Sequence, residues 1–166
     1  MTDEMTRSER FWLDVTNALY RVPQRVRAYQ TQHPASHIHA SGAAKGRRTP
    51  ANSPVEYNVA WIAAQRATLL LSDENIICGR WQIALASIRE ARLTQIQGMS
   101  GRGLVLQIAT DDSHYQFGLQ YDPAWLRQTA LPLTVEQGKL GISPLSLALR
   151  IITFGLLLWW LLDRLF

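Results

Sequence analysis

Residues 66–79, RATLLLSDENIICG, set the fold class of this chain. Two runs of apolar and β-branched residues flank the polar pair Asp73-Glu74, a pattern typical of a β-hairpin. The sequence therefore predicts an antiparallel sheet in the middle of the chain.

Further along the chain, apolar residues recur at every second position. The alternating sets are Trp81, Ile83 and Leu85; Leu104, Leu106 and Ile108; and Tyr115, Phe117 and Leu119. Because successive side chains of a strand point to opposite faces, each set predicts a half-buried strand facing a common core. Residues 56–64 are expected to form the first strand, with a helix as the alternative.

A single helix is expected to follow the strands. Asp122 and Pro123 suit its N-cap and first position, and Pro132 prevents its continuation. Its apolar side would hold Trp125, Leu126, Thr129 and Ala130. The order of elements therefore predicts a mainly β domain, residues 55–140, closed by a C-terminal helix.

Three stretches of this domain resemble the pleckstrin-homology (PH) superfamily, including its bacterial and GRAM-like members. They are 67–81 (ATLLLSDENIICGRW), 83–93 (IALASIREARL) and 104–119 (LVLQIATDDSHYQFGL). The resemblance implies a small, partly open antiparallel barrel or bent sandwich that serves as a docking surface for lipid headgroups, peptides or proteins. Lipid-binding relatives hold phosphates with basic residues between the first two strands. Here that loop falls near Gln65-Arg66, so no lipid-binding residues are carried over.

The C-terminal segment 142–166 holds only three charges in 25 residues and is expected to be a transmembrane helix. The uncharged run 151–162 spans only about 18 Å as a helix, so a crossing needs 142–162, about 31 Å, with Arg150 inside it. Arg150 could reach the interface or face a partner helix, and the segment could instead lie in the interface plane. The expected contacts with lipid or a partner helix are Ser146, Arg150, Thr153, Trp159, Trp160 and Arg164.

The charges around this segment predict its orientation. Lys139 and Arg150 precede it and Arg164 follows it, which favours a tail-anchored, single-pass protein with its N-terminal domain in the cytoplasm. The lone cysteine, Cys78, rules out an intramolecular disulfide and agrees with that compartment.

The N-terminal arm, residues 1–30, is expected to be an amphipathic helix from about Ser8 to Tyr29, divided near Val22 by Pro23. Its apolar residues recur every three or four positions. It could lie on an anionic membrane, pack on the domain or dock on a partner. The expected contact residues are Phe11, Trp12, Val15, Leu19, Arg21 and Arg25.

Residues 31–54 are rich in Ser, Ala, Gly and Pro without an apolar period, and are expected to be a flexible linker. Lys45, Arg47 and Arg48 give this segment most of the net charge of +4, whereas residues 55–140 hold seven basic and eight acidic residues. A nearly neutral folded module argues against nucleic acid as a partner. His33, His37 and His39 have no cysteine or carboxylate nearby in the sequence, so no metal site is expected.

No catalytic constellation stands out in the sequence. Cys78 lies in an apolar run and is expected to be a buried, inert thiol, and His114 falls at a hairpin turn. The glycine-rich run 98–103, GMSGRG, leads into a strand rather than a helix, so it is interpreted as a turn and not a phosphate loop. We expect no catalytic, cofactor-binding or metal-binding residues.

These patterns predict a non-enzymatic, single-span membrane protein whose PH-like module acts as an accessory or assembly subunit of an integral membrane protein complex. The alternative is a peripheral sensor module, tethered by its tail, that binds anionic lipid or a peptide. The expected partners are membrane lipids and the other subunits of that complex.

Overall fold

The structure, a computed structural model, describes residues 4–51, 53–57, 61, 63–98, 101–138, 141–142, 148, 151–155 and 160. Within these ranges the α-helices that precede or follow the strands are α1 (Arg7–Leu19), α2 (Val22–Gln32) and α3 (Ala124–Arg127); Leu85–Ser87 form a short 3-10 helix, and residues 151–155 are helical. The strands are β1 (Ile38–Thr49), β2 (Glu56–Tyr57), β3 (Gln65–Ser72), β4 (Asn75–Cys78), β5 (Trp81–Ala84), β6 (Ile88–Gly98), β7 (Gly101–Thr110), β8 (His114–Gln120), β9 (Thr134–Gly138) and β10 (Gly141–Ile142).

Eight strands form one sheet in the order β5-β4-β3-β1-β8-β7-β6-β9. Neighbours are antiparallel except for β6 and β9, and β2 and β10 form a separate parallel pair. The predicted hairpins are confirmed: β3 and β4 flank Asp73-Glu74, and β7 and β8 flank 111–113. Strand β1 pairs with both β3 and β8 and so joins the two meanders.

The core lies on one face of the sheet, as the alternating residues predict. Fully buried side chains include Leu69, Leu71, Ile76, Leu93, Leu104, Leu106, Phe117 and Trp125. Gly42 and Ala44 of β1 face this core, where Ala44 lies opposite Ala67 of β3 and Leu119 of β8. The outer face of the sheet is therefore the one available to α1.

The predicted flexible linker, residues 31–54, is wrong over half its length, because 38–49 are the central strand β1. Strand β1 shows no alternation of large apolar residues because most of its buried side chains are small. The packing around it requires small residues. A Cβ on Gly46 would lie 2.6 Å from Cζ3 of Trp81 and 2.9 Å from the Phe117 ring. These two rings approach the backbone of β1 closely at Gly46, so a glycine there replaces the larger residues typical of strands.

The predicted transmembrane helix is contradicted. None of the helices in the described ranges is long and apolar enough to cross a membrane. The 21-residue span needed Ile142 to be helical, but Ile142 is in β10, paired with Tyr57. The same finding contradicts the predicted single-pass topology with the N-terminal domain in the cytoplasm. Of the predicted contacts in this segment, Thr153 and Trp160 are helical, and Ser146, Arg150, Trp159 and Arg164 lie outside the described residues.

The closing helix is shorter than expected. Asp122 accepts a hydrogen bond from the amide of Ala124 at 2.8 Å, but the helix ends after one turn at Arg127. Gln128 is extended, and its side chain exchanges two hydrogen bonds of 2.9 Å with the backbone of Leu131. The chain then adds β9 to the sheet. Of the expected first strand, 56–64, Glu56–Tyr57 are in a strand and residues 61, 63 and 64 are not, while 58–60 and 62 lie outside the described residues.

Candidate docking surface on the first helix

Helix α1 begins at a capping box formed by Thr6 and Glu9. The Thr6 hydroxyl accepts from the Glu9 amide at 3.2 Å, and the Thr6 amide donates to Glu9 Oε2 at 2.9 Å. These bonds satisfy amides that lack partners inside the helix. Ser8, at which the sequence predicts this helix to begin, lies two residues further on, inside α1. The predicted division near Val22 is confirmed, because Arg21 takes a left-handed conformation (φ 54°) just before α2.

One buried ion pair fixes α1 to the β6–β7 hairpin. Arg102 Nε donates to Glu9 Oε1 at 2.8 Å, and Nη2 donates to Glu9 Oε2 at 2.9 Å. The Arg102 guanidinium also lies 3.8 Å from the centre of the Tyr121 ring. These bonds lower the pKa of the Glu9 carboxyl from 4.5 to about 2.

Further along α1, polar groups continue the attachment to the sheet. Asn17 Oδ1 accepts from the amide of Ala43 at 3.0 Å, and the carbonyl of Tyr20 accepts from the Thr68 hydroxyl at 3.2 Å. With Glu9, the half-buried Leu13 and Thr16 lie on this same side of the helix. Helix α1 therefore contacts the sheet through its more polar side.

The apolar side of α1 points away from the protein. We call Phe11, Trp12, Val15 and Leu19 the α1 face; their exposed fractions are 60%, 49%, 41% and 75%. Phe11 and Trp12 contact each other edge to face, with ring centres 5.5 Å apart. The predicted apolar stripe exists, but in the described part of the chain it does not pack on the domain.

The segment that holds α1 and α2 carries more exposed positive than negative charge. Over residues 4–32 the exposed arginines are Arg7, Arg10, Arg21, Arg25 and Arg27. The exposed acids there are Glu4 and Asp14, since Glu9 is buried against Arg102. All six residues predicted for this arm, four apolar residues with Arg21 and Arg25, are thus accessible on the same helical pair. The sequence analysis did not identify Glu9 and Asn17 as residues that attach α1 to the sheet. The three- and four-residue spacing of Met5, Glu9, Leu13 and Thr16 places these residues on one side of a helix and is the signal that could have indicated this contact.

The groups considered for chemistry lie apart from this surface. Burial raises the pKa of the Cys78 thiol to about 12, so the thiol stays protonated. The amide of His37 donates to Asp73 Oδ2 at 2.6 Å, and His39 Nε2 lies 2.7 Å from Asp73 Oδ1. These bonds lower the Asp73 pKa and join the start of β1 to the β3–β4 turn. Across the described ranges, no group of three or more His, Cys, Asp or Glu could hold a metal ion.

No protein-family model matches this chain, and no curated protein matches it at a significant level.

Proposed function

We propose that this chain is a non-enzymatic docking module that binds the surface of anionic membranes through the α1 face. The observation that carries the proposal is the orientation of α1. The helix contacts the sheet through polar groups, and its four large apolar side chains are exposed to solvent. A protein that used α1 only to cover its sheet would bury the apolar side instead.

The composition of the exposed surface favours a bilayer as the occupant. Interfacial helices combine aromatic and aliphatic residues on one face with arginine or lysine beside them. Here Phe11 and Trp12 provide rings suited to the headgroup boundary, and the exposed Arg7 and Arg10 precede them on the same helix. The five exposed arginines of residues 4–32 complement phosphatidylserine or another anionic headgroup.

The sheet acts as a rigid support for this helix. Three attachments, at Glu9, Asn17 and Tyr20, hold α1 over about 17 Å of its length. A helix held in its folded state does not lose backbone entropy on binding, which lowers the cost of docking. The PH-like assignment remains part of the proposal, and two antiparallel meanders joined through β1 and followed by a helix support it.

Vesicle sedimentation of the full chain tests the proposal. We expect binding to phosphatidylcholine vesicles that contain phosphatidylserine, weaker binding in high salt, and little binding to phosphatidylcholine alone. Arg7→Gln with Arg10→Gln should weaken binding by about 2 kcal/mol, or about 30-fold, at about 1 kcal/mol for each arginine near the surface.

A matched control separates local contact from net charge. Arg80→Gln with Arg127→Gln removes two exposed arginines outside α1 and α2 and should weaken binding far less. If both double variants lost the same amount of vesicle affinity, binding would depend on net charge alone, which would contradict a local contact at α1. No binding to anionic vesicles at low salt would contradict the proposal and favour a protein partner for the α1 face.

A further inference from the structure

A cavity of about 400 Å³ lies between α1 and the outer face of the sheet, on the side of the helix opposite the α1 face. Thr16 of α1 and Tyr20, the residue that follows α1, line it on the helix side, and Ala43, Gly103 and Gly118 line it on the side of the sheet. Its size is within the range of small-molecule sites, and its lining is mostly apolar.

Trp61 forms one wall of this cavity. A Cβ on Gly118 would lie 3.2 Å from Cζ3 of Trp61, so the glycine lets the indole lie against the strand. The Arg47 guanidinium also contacts this ring and lies 4.7 Å from the ring centre. Trp61 is 7% exposed, and the indole therefore forms a buried aromatic wall of the cavity.

Positive charge lies at the edge of this apolar space. Lys45, which lines the cavity, is directly opposite Arg66 in the β1–β3 register, so both side chains leave the same face. Neither makes a hydrogen bond or ion pair with another residue in the described part of the chain. Like charges directly opposite each other destabilise a sheet, and an anion between them removes that cost.

We propose that this cavity binds the apolar chain of an alkyl carboxylate, with Lys45 and Arg66 receiving the carboxylate. The small side chains of the floor leave room for a methylene chain, which Trp61 and Tyr20 flank. This site is distinct from the docking surface, because Thr16 and Tyr20 lie on the sheet side of α1. The inference does not depend on membrane binding.

Calorimetric titration of the full chain with dodecanoate, below the concentration at which it forms micelles, tests the site. We expect saturable binding with one molecule per chain and shifts of the Gly103 and Gly118 amide signals in a parallel NMR titration. Dodecyltrimethylammonium, which has the same chain and a cationic head, should bind at least tenfold more weakly.

Two variants locate the ligand. Thr16→Phe fills the cavity from the helix side and should weaken dodecanoate binding at least tenfold. Lys45→Met removes a half-exposed charge and should weaken it about fivefold, in line with an exposed ion pair. Arg80→Met removes a charge elsewhere and serves as the matched control.

The outcomes are decisive in each direction. Absence of saturable binding, equal binding of the cationic amphiphile, or unchanged affinity in a folded Lys45→Met variant would overturn the proposal. Phe11→Gln with Leu19→Gln should bind dodecanoate as the wild type does, since these residues lie on the other side of α1. Because this double variant should not dock on vesicles, it also distinguishes an alkyl carboxylate that binds from solution from one that binds only after the protein docks on a vesicle.

Discussion

Replacing the two most exposed residues of the α1 face gives a quantitative test of membrane docking. Phe11 and Leu19 are 60% and 75% exposed, so both lose most of their water contact if the helix enters the headgroup region. Complete burial of such side chains is worth about 1.5–3 kcal/mol, and the exposed fractions scale this to about 1–2 kcal/mol each. Phe11→Gln with Leu19→Gln should therefore cost about 2–4 kcal/mol of binding, at least about 30-fold in affinity.

The assay is binding of the full chain to phosphatidylcholine–phosphatidylserine vesicles, read as the lipid concentration at half binding. Glutamine favours helix more than phenylalanine does, and both positions are exposed, so the melting temperature should hardly change. Val135→Gln, which removes a half-exposed apolar side chain from β9, is the control and should bind normally. A double variant that binds within threefold of the wild type would refute the reasoning.

Three further predictions concern the folded state. Glu9→Gln should lower the free energy of unfolding by up to about 3 kcal/mol at neutral pH, because Arg102 holds the folded carboxyl pKa at about 2. A lowered pKa stabilises above the unfolded value near 4.5, so melting curves of wild type and variant should converge as pH falls from about 5 to 2. Gly46→Ala should destabilise by about 1–3 kcal/mol in denaturant titrations, whereas Gly42→Ala, whose Cβ would meet its nearest atom at 3.6 Å, should be nearly neutral; equal effects would count against the packing of β1. Cys78 should react with Ellman's reagent only after unfolding, and rapid reaction of the folded chain at pH 8 would contradict its burial.

The strands of the two meanders could be predicted because their apolar residues alternate. Leu104, Leu106 and Phe117 follow the period of two, and all three are fully buried. Strand β1 could not be predicted in this way, because its residues facing the core are small, and Gly46 among them lies under the rings of Trp81 and Phe117. The information lies in the packing partners, which are distant in sequence.

The orientation of α1 was equally inaccessible from periodicity. The hydrophobic stripe predicts which residues share a face, but it does not say whether that face meets the sheet or the solvent. Which side of α1 contacts the sheet depends on Glu9 and Arg102, which are 93 residues apart and form the buried ion pair. The transmembrane prediction was wrong for a local reason, because Ile142 pairs as a strand at the point where the helix was expected to begin.

An environment-sensitive fluorophore at Val15 tests the central claim most directly. Because Cys78 is buried, Val15→Cys can be labelled selectively with a nitrobenzoxadiazole group, and Gln82→Cys provides an exposed control on β5. We predict that phosphatidylserine-containing vesicles shift the Val15 emission to the blue and raise its intensity, while the Gln82 label does not change. An unchanged Val15 signal with vesicles in excess would contradict docking through the α1 face.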